Sequence, residues 1–328
     1  VSAPVRIGVA GAGALGYHHI RLLRELDGAV CAGFHDHDPA RAARVAGELG
    51  VSAFASLDSL LDACDALCIV VPTSAHAAVA QQAIAQGKHL LVEKPLCTTL
   101  AEADAMLDAA RSAGVLIQTG HIERFNRAMR AAMPYVDQPR FISSERLAPF
   151  NPRGTDVAVV LDLMIHDIDL VSTLVGGPVR DVHAVGVPVL TPNIDIANAR
   201  LGFASGAVAT ITSSRVSRER MRKVRIFQSS GYLSLDLAAG TGEFYRVRGD
   251  VDPVALAAGP LSMESFVEVM PLDAPEGEPL RLELQSFVDA VRGLSPVVVT
   301  GEDGRAALAV ALRILDAIGA PGSALTGA

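Results

Sequence analysis

Val5-Arg-Ile-Gly-Val-Ala-Gly11-Ala-Gly13-Ala-Leu-Gly16 sets an apolar run directly before three glycines at G-x-G-x-x-G spacing. The run predicts a buried strand, and Leu15, His19, Leu22 and Leu26 then mark one face of a helix. Strand, glycine turn and helix in that order open a βαβ dinucleotide-binding unit. Gly11 would make the tight turn, and Gly13 would let the backbone N–H groups of Ala14 and Leu15 approach a pyrophosphate. Gly16 would let helix and strand pack closely, with the helix N-terminus facing the negative charge. The alternative is a glycine-rich structural turn, and the flanking strand and helix weigh against it.

Outward from this loop the same alternation continues. A second strand, Val30 to Phe34, ends at His35-Asp36, 20 residues past Gly16. An acid there would accept hydrogen bonds from the adenosine ribose diol and repel a 2′-phosphate, which puts NAD ahead of NADP. Protonated His35 or His37 would soften that choice, and Asp36 can also be read as a helix-capping residue. Asp38 and Pro39 form an N-cap and first helical position. Ala66 to Val71 reads as a buried strand stopped by Pro72, with Thr73 and His76 opening a helix that closes at Gly87. All three are candidates to line the cofactor. His89 to Val92 is a strand leading into Glu93-Lys94-Pro95, where Glu93 and Lys94 are further candidates to line the cofactor. Thr99 and Glu102 form a capping box for a helix ending at Gly114, and Val115 to Thr119 is a last strand.

The pattern changes beyond residue 121. A helix is expected from Glu123 to Ala132, a strand over Arg140 to Arg146, and a long helix from about Thr155 to Gly176. Five strands follow, Val179 to Val187, Asp195 to Phe203, Ala207 to Arg215, Val224 to Ser229 and Tyr232 to Leu237, then helices over Leu280 to Val291 and Glu302 to Ile318. Short turns between strands imply a large open mixed or antiparallel sheet with helices on one face. The expected architecture is an α/β Rossmann domain with a parallel doubly wound sheet (residues 1–121) and an α+β domain for substrate and oligomerisation (122–328), whose last helix packs back on the first.

Composition narrows the partners. Half of the 328 residues are hydrophobic, 20% are charged, and the net charge is −8. Phosphate neutralisation along nucleic acid needs concentrated Lys and Arg, so nucleic acid is excluded as the expected partner. No apolar run approaches a membrane span, and a strand starting at Val5 leaves no room for a secretory leader, which predicts a cytoplasmic protein. The cysteines Cys31, Cys64, Cys68 and Cys97 form no Cys-x-x-Cys pair and read as reduced thiols. Cys97, His18 and His19 read as packing or helix-surface residues.

Chemistry concentrates at three places. Lys94 falls at the carboxyl end of a parallel strand, where such sheets hold ligands, and a lysine there would stabilise a developing alkoxide. An ion pair with Glu93 is the plainer reading. Asp162, His166 and Asp169 share one face of an otherwise apolar helix. An Asp can fix the tautomer of a neighbouring His and raise its basicity, as proton abstraction from an alcohol requires, or the pair can simply satisfy itself in the core. No metal is expected, since one His and two carboxylates on one helix are too few. Arg124 and Asn126 in His121-Ile-Glu-Arg-Phe-Asn126, and Arg153 and Thr155 in Phe150-Asn-Pro-Arg-Gly-Thr155, are candidates to clamp a sugar or phosphate; surface arginines with local capping are the alternative.

The glycine loop, Pro72-Thr73-x-x-His76, Gly87-Lys-His89 running into Glu93-Lys94-Pro95, and Asp162-x-x-x-His166 together resemble the Gfo/Idh/MocA oxidoreductases in order and spacing, over nearly the whole chain. The resemblance implies NAD(P)-linked oxidation of a sugar, inositol or other polyol, with Lys94 and His166 catalytic and Asp162 supporting the histidine. It also implies a homodimer or homotetramer formed through the open sheet. The segments around Arg124, Arg153 and Asp162 are similar to a branch that oxidises C3 of UDP-N-acetylglucosamine for a lipid A variant, although Arg127 stands where that branch often has proline. Val157-Ala-Val-Val160 and Met164 also depart from the family's glycine-rich pattern. A non-redox glycosidase of the same fold and a non-catalytic sensor are the rivals. The first would accumulate no reduced cofactor, and the second has no use for a proton acceptor.

Overall fold

The computed structural model describes residues 3–152, 154–155, 157–248 and 266–319. Contacts divide the chain into two units, one comprising Val1–Ile122 with Gly277–Ala309, the other Glu123–Glu276 with the end of the last helix.

In the first unit five parallel strands run in the order β2-β1-β3-β4-β5: β1 (Val5–Ala10), β2 (Ala29–His35), β3 (Ala66–Ile69), β4 (His89–Glu93) and β5 (Ile117–Gly120). Outside β2, residues 52–54 make a single parallel bridge through Ala53 to Phe34. That rudimentary strand completes the order in which dinucleotide-binding sheets reverse direction beside β1, leaving a crevice at the carboxyl ends of β1 and β3. The connecting helices are α1 (Ala14–Leu23), α2 (Pro39–Leu49), α3 (Leu57–Ala63), α4 (His76–Ala85) and α5 (Leu100–Ala113). Their ends follow the side chains. Asp38 accepts from the N–H groups of Ala40 and Arg41, Thr99 and Glu102 close the capping box, and Gly50 and Gly114 end their helices in left-handed conformation.

Two later helices are α8 (Pro279–Val291) and α9 (Gly301–Ile318). The expectation that everything after residue 121 belongs to a second domain fails for Gly277–Ala309. The apolar face of α8, with Leu280, Leu284, Phe287 and Val288, is buried in one core with Ile7, Ile20, Leu23 and Phe34. Burying four large apolar side chains contributes about 6–12 kcal/mol before entropy is counted, more than chain order can override.

The second unit holds an eight-stranded mixed sheet. Its strands are β6 (Phe141–Leu147), β7 (Val179–Val187), β8 (Ile196–Phe203), β9 (Val208–Ser214), β10 (Met221–Gln228), β11 (Gly231–Asp236), β12 (Thr241–Val247) and β13 (Val267–Leu272), in the order β13-β12-β11-β10-β6-β9-β8-β7. The β6–β9 pair is parallel and the rest are antiparallel. Two helices cover one face: α6 (Arg127–Ala132) lies on β11 and β12, and α7 (Ile165–Val175) on β6 and β9. Strands β12 and β13 carry too few buried residues to show in the sequence pattern, and Pro271 is tolerated because β13 is an edge strand.

Two helix boundaries depart from expectation. The segment from residue 123 is a 3-10 turn, Ile122–Phe125, broken at Asn126, whose extended backbone and side-chain oxygen cap α6 through Ala128 N–H at 3.0 Å. The long helix expected from Thr155 begins instead with a π turn, Val160–Met164, that passes into α7.

Candidate active site

In the first unit the glycine loop is built as its spacing requires. A Cβ on Gly16 would lie 2.0 Å from Gly11 O, so only glycine lets α1 start this close to the turn. At Gly13 an added Cβ would meet nothing within 4 Å, and this N-cap supplies no side-chain acceptor to the helix amides. Ala14 and Leu15, the first helical residues, are exposed. Open backbone donors at a helix N-terminus suit an anion, and these residues fit a dinucleotide pyrophosphate. Pro72 is exposed and Thr73 half-buried in a 3-10 turn after β3.

Asp36 follows β2 and is buried. Its carboxylate accepts from Ala12 N–H at 2.7 Å, Asp38 N–H at 2.9 Å and Arg41 Nη1 at 3.2 Å to both oxygens. Burial works to raise this carboxyl, but those amides and the guanidinium outweigh it and hold it below its ordinary value. Helix capping falls to Asp38 alone.

Lys94 follows β4, half-buried, and a cis peptide joins it to Pro95. Beneath it lies a pair that the sequence reading missed. His19 is fully buried, with Nε2 3.0 Å from Glu93 Oε1, and its Nδ1 has no hydrogen-bond partner among the described residues. An Nε2–H tautomer donating to Glu93 leaves only a lone pair unsatisfied, whereas a proton on Nδ1 would be a stranded buried donor. Burial favours a neutral Glu93, but the His19 bond and the charge of Lys94 prevail and keep its carboxyl below the ordinary range. His76 does not open onto the crevice: its ring is 1% exposed, with Nδ1 3.0 Å from Pro95 O and Nε2 3.0 Å from Val71 O. It ties together the chain ends that leave β3 and β4, and burial pushes its imidazole below its ordinary value. This corrects its assignment as a direct cofactor contact. Cys97 is no nucleophile, since burial pushes its thiol up to about 12.

In the second unit the decisive helix is pinned on both sides of His166. Asp167 accepts from Ser144 Oγ at 2.8 Å and Arg146 Nε at 2.6 Å, and Arg146 Nη1 reaches Glu123 Oε1 at 2.8 Å; all are buried. Asp169 takes a bidentate contact from Arg124, at 2.8 and 2.6 Å. Asp169 is therefore part of a brace rather than a partner of His166, and Arg124 gives two of its donors to that brace before any substrate. Asn126 is corrected more fully. Its amide donates to Glu123 Oε2 at 3.0 Å and Leu237 O at 2.8 Å while its oxygen caps α6, so both amide hydrogens are used inside the fold.

His166 and Asp162 are each half-buried, and Asp162 lies within the π turn. Such turns recur at functional sites because they re-aim side chains without ending the helix. Gly154 backs onto Asp162, where a Cβ would come within 2.8 Å of the carboxylate, and Gly154 adopts a positive φ of 75°. The preceding loop is held by Arg215, whose Nη1 and Nη2 donate to Gly154 O and Val157 O at 2.5 and 2.6 Å, and by Asn193 Nδ2, which donates to Thr155 O at 2.9 Å. Thr155 Oγ1 donates to Pro152 O, and Arg153 lies outside the described residues.

Residues 5–121 match a family model described as "Oxidoreductase family, NAD-binding Rossmann fold", and residues 109–234 match the "GFO/IDH/MocA C-terminal domain". UDP-N-acetylglucosamine 3-dehydrogenase of Acidithiobacillus ferrooxidans is 39% identical over 96% of this chain and 97% of its own. The chain belongs to the Gfo/Idh/MocA oxidoreductase family. A solved structure of the Acidithiobacillus dehydrogenase superposes with a TM-score of 0.87, covering 97% of this chain and 98% of the other. Myo-inositol 2-dehydrogenase of Thermotoga maritima is 28% identical over 93% of each chain. As a Gfo/Idh/MocA protein the chain is an oxidoreductase acting on CH–OH groups, with an NAD-binding Rossmann domain. Within that frame Glu123, Arg146 and Asp167 were the residues missed. Their signal was present: alternation along β6 puts Arg146 on the inward face with Ile142 and Ser144, and a buried guanidinium requires acids.

Proposed function

We propose that the protein oxidises the C3 hydroxyl of UDP-N-acetylglucosamine with NAD, in the cytoplasm, as a step toward a surface-lipid precursor. The observation that carries this reading is the similarity to the Acidithiobacillus 3-dehydrogenase, which extends over nearly the full length of both chains. His166 accepts the hydroxyl proton, and Asp162 favours the tautomer and basicity that this needs. Lys94 stabilises the alkoxide as charge develops, with Glu93 and His19 fixing the strand end that carries it. Gly11, Gly13, Ala14, Leu15 and Gly16 hold the pyrophosphate, and Asp36 the ribose. When bound, the nicotinamide supplies the hydride acceptor. Thr155 borders the sugar nucleotide from the loop before the π turn.

Purified protein incubated with NAD and a panel containing UDP-N-acetylglucosamine, UDP-N-acetylgalactosamine, free N-acetylglucosamine, glucose and myo-inositol should reduce the cofactor fastest with the first. Faster turnover of myo-inositol would replace this substrate and leave the dehydrogenase assignment standing. Turnover without net cofactor reduction would favour a transient-oxidation glycosidase.

The same reading makes the protein a homo-oligomer. On the sheet face away from α6 and α7, one register row carries Val208, Phe141, Phe227, Tyr232, Tyr245 and Val269 across six strands. Tyr232 and Tyr245 stack at 4.4 Å, and Phe141 and Val269 are 39% and 50% exposed. A contiguous apolar row of this kind is costly in water and suits a second copy of the chain. Light scattering should give two or four chain masses for the wild type and a smaller assembly for Tyr232→Arg. A monomeric wild type would remove the oligomer from the reading.

A further inference from the structure

The loop before the π turn rests on a buried foundation that has no part in the chemistry assigned above. Asp195, fully buried directly before β8, accepts on Oδ2 from the N–H groups of Val189, Leu190 and Thr191 at 2.8, 2.7 and 2.9 Å. Its Oδ1 accepts from Thr191 Oγ1 at 2.7 Å. Successive amides aimed at one oxygen form an anion nest, here filled by the chain's own carboxylate. Burial works to raise this carboxyl, but the Thr191 hydroxyl and the amides prevail and hold it at about 2. A buried carboxylate that stays charged needs a cation. Arg215, directly after β9, supplies it: its side chain is 5% exposed and its Nε lies 3.7 Å from Asp195 Oδ1.

The same guanidinium reaches the loop at two points, Nη1 donating to Gly154 O at 2.5 Å and Nη2 to Val157 O at 2.6 Å. Neighbours of Asp195 add to the grip. Asn193 Nδ2 donates to Thr155 O at 2.9 Å, and Ile194 O accepts from Val159 N–H at 2.8 Å. We propose that Arg215, anchored on Asp195, is a positioning residue that sets the loop of residues 154–157 beside Asp162 and so governs how tightly the sugar nucleotide is held. This rests on the reading that assigns Asp162 and Thr155 to the sugar side of the site. A guanidinium suits the task because its donors are fixed in one plane: the carboxylate fixes the plane, and the plane fixes both carbonyls. The loop in turn closes on Asp162, since a Cβ on Gly154 would come within 2.8 Å of that carboxylate. Asp162 itself is carried by the π turn, so the loop bears on substrate binding more than on the proton transfer.

Steady-state kinetics with the panel sugar that the wild type oxidises fastest, and fluorescence titration with NADH, test this together. Arg215→Lys keeps a charge beside Asp195 but not the planar fork. It should lower kcat/KM for the sugar by roughly 10- to 100-fold, as displacement of a positioning group does, with the loss in KM and kcat changing little. NADH affinity should match the wild type. Asn193→Ala removes one half-buried side chain from the same loop and should raise KM by a smaller factor. Wild-type KM in both variants would overturn the proposal. So would a loss confined to kcat, or one that NADH binding shares, which would mark a general loss of structure. A wild type that oxidises no sugar of the panel would remove the sugar-site reading itself, and this proposal with it.

Discussion

Lys94→Ala and His166→Ala are each expected to lower turnover of the sugar nucleotide by roughly 10²- to 10⁴-fold, the usual worth of a positioned proton acceptor or charge stabiliser. Both side chains are half-buried, so removing either leaves no large cavity in a core and thermal unfolding should change little. The two variants should differ in one respect. NADH binding to His166→Ala should match the wild type, because His166 is assigned to the substrate hydroxyl alone. Lys94 follows β4 in the dinucleotide unit, so Lys94→Ala should weaken NADH as well. Steady-state kinetics and the NADH titration together separate the roles. Near-wild-type turnover by either variant would remove that residue from the mechanism.

Arg146→Ala should be the most destabilising single change in the second unit. Arg146 is 4% exposed between Glu123 at 2.8 Å and Asp167 at 2.6 Å, both acids being nearly as buried. Taking away the guanidinium leaves Asp167 with Ser144 alone and Glu123 with Asn126 and the more exposed Arg222, and breaking one such buried pair costs about 3–5 kcal/mol. The Arg246–Glu268 pair is the control. Its 2.7 Å contact is just as short, but both side chains are almost half exposed, so solvent screens the pair and its loss should move the midpoint far less. Urea midpoints of the two alanine variants would show the contrast. A triple variant, Arg146→Met with Glu123→Gln and Asp167→Asn, should regain much of the loss because no charge is left buried. Equal midpoints for Arg146→Ala and Arg246→Ala would mean that the buried network does not carry the stability assigned to it.

The dinucleotide unit was legible because its signals are local. Glycine spacing, Asp38, the Thr99–Glu102 box and short apolar runs each announce an element within a few residues of themselves. What stayed hidden was long-range. Nothing near His19 reveals Glu93, 74 residues away, and nothing near Arg124 reveals Asp169, 45 residues away. Such partners turn an apparent ligand clamp into a brace, as Arg124 shows. Asn126 failed differently: asparagine both caps helices and binds sugars, and the helix it caps was read as continuing through it. The expectation of a second domain running to the end of the chain failed because a helix packs where its apolar face finds a core, and α8 finds it in the first unit.

The parallel pair β6–β9 has a consequence for how the second unit assembles. Strands β7 to β9 follow one another as an antiparallel ribbon, and so do β10 to β12, each closing through short sequence separations. Strand β6 lies between them, with Phe141 opposite Val208 on one side and Phe227 on the other. These are the costly loop closures, so the two ribbons can zip early while the seam waits for both. Ser144 and Arg146 sit on that seam, and they are the groups that anchor Asp167 beside His166. A nascent chain can thus hold nearly all of its strands and still lack an aimed histidine.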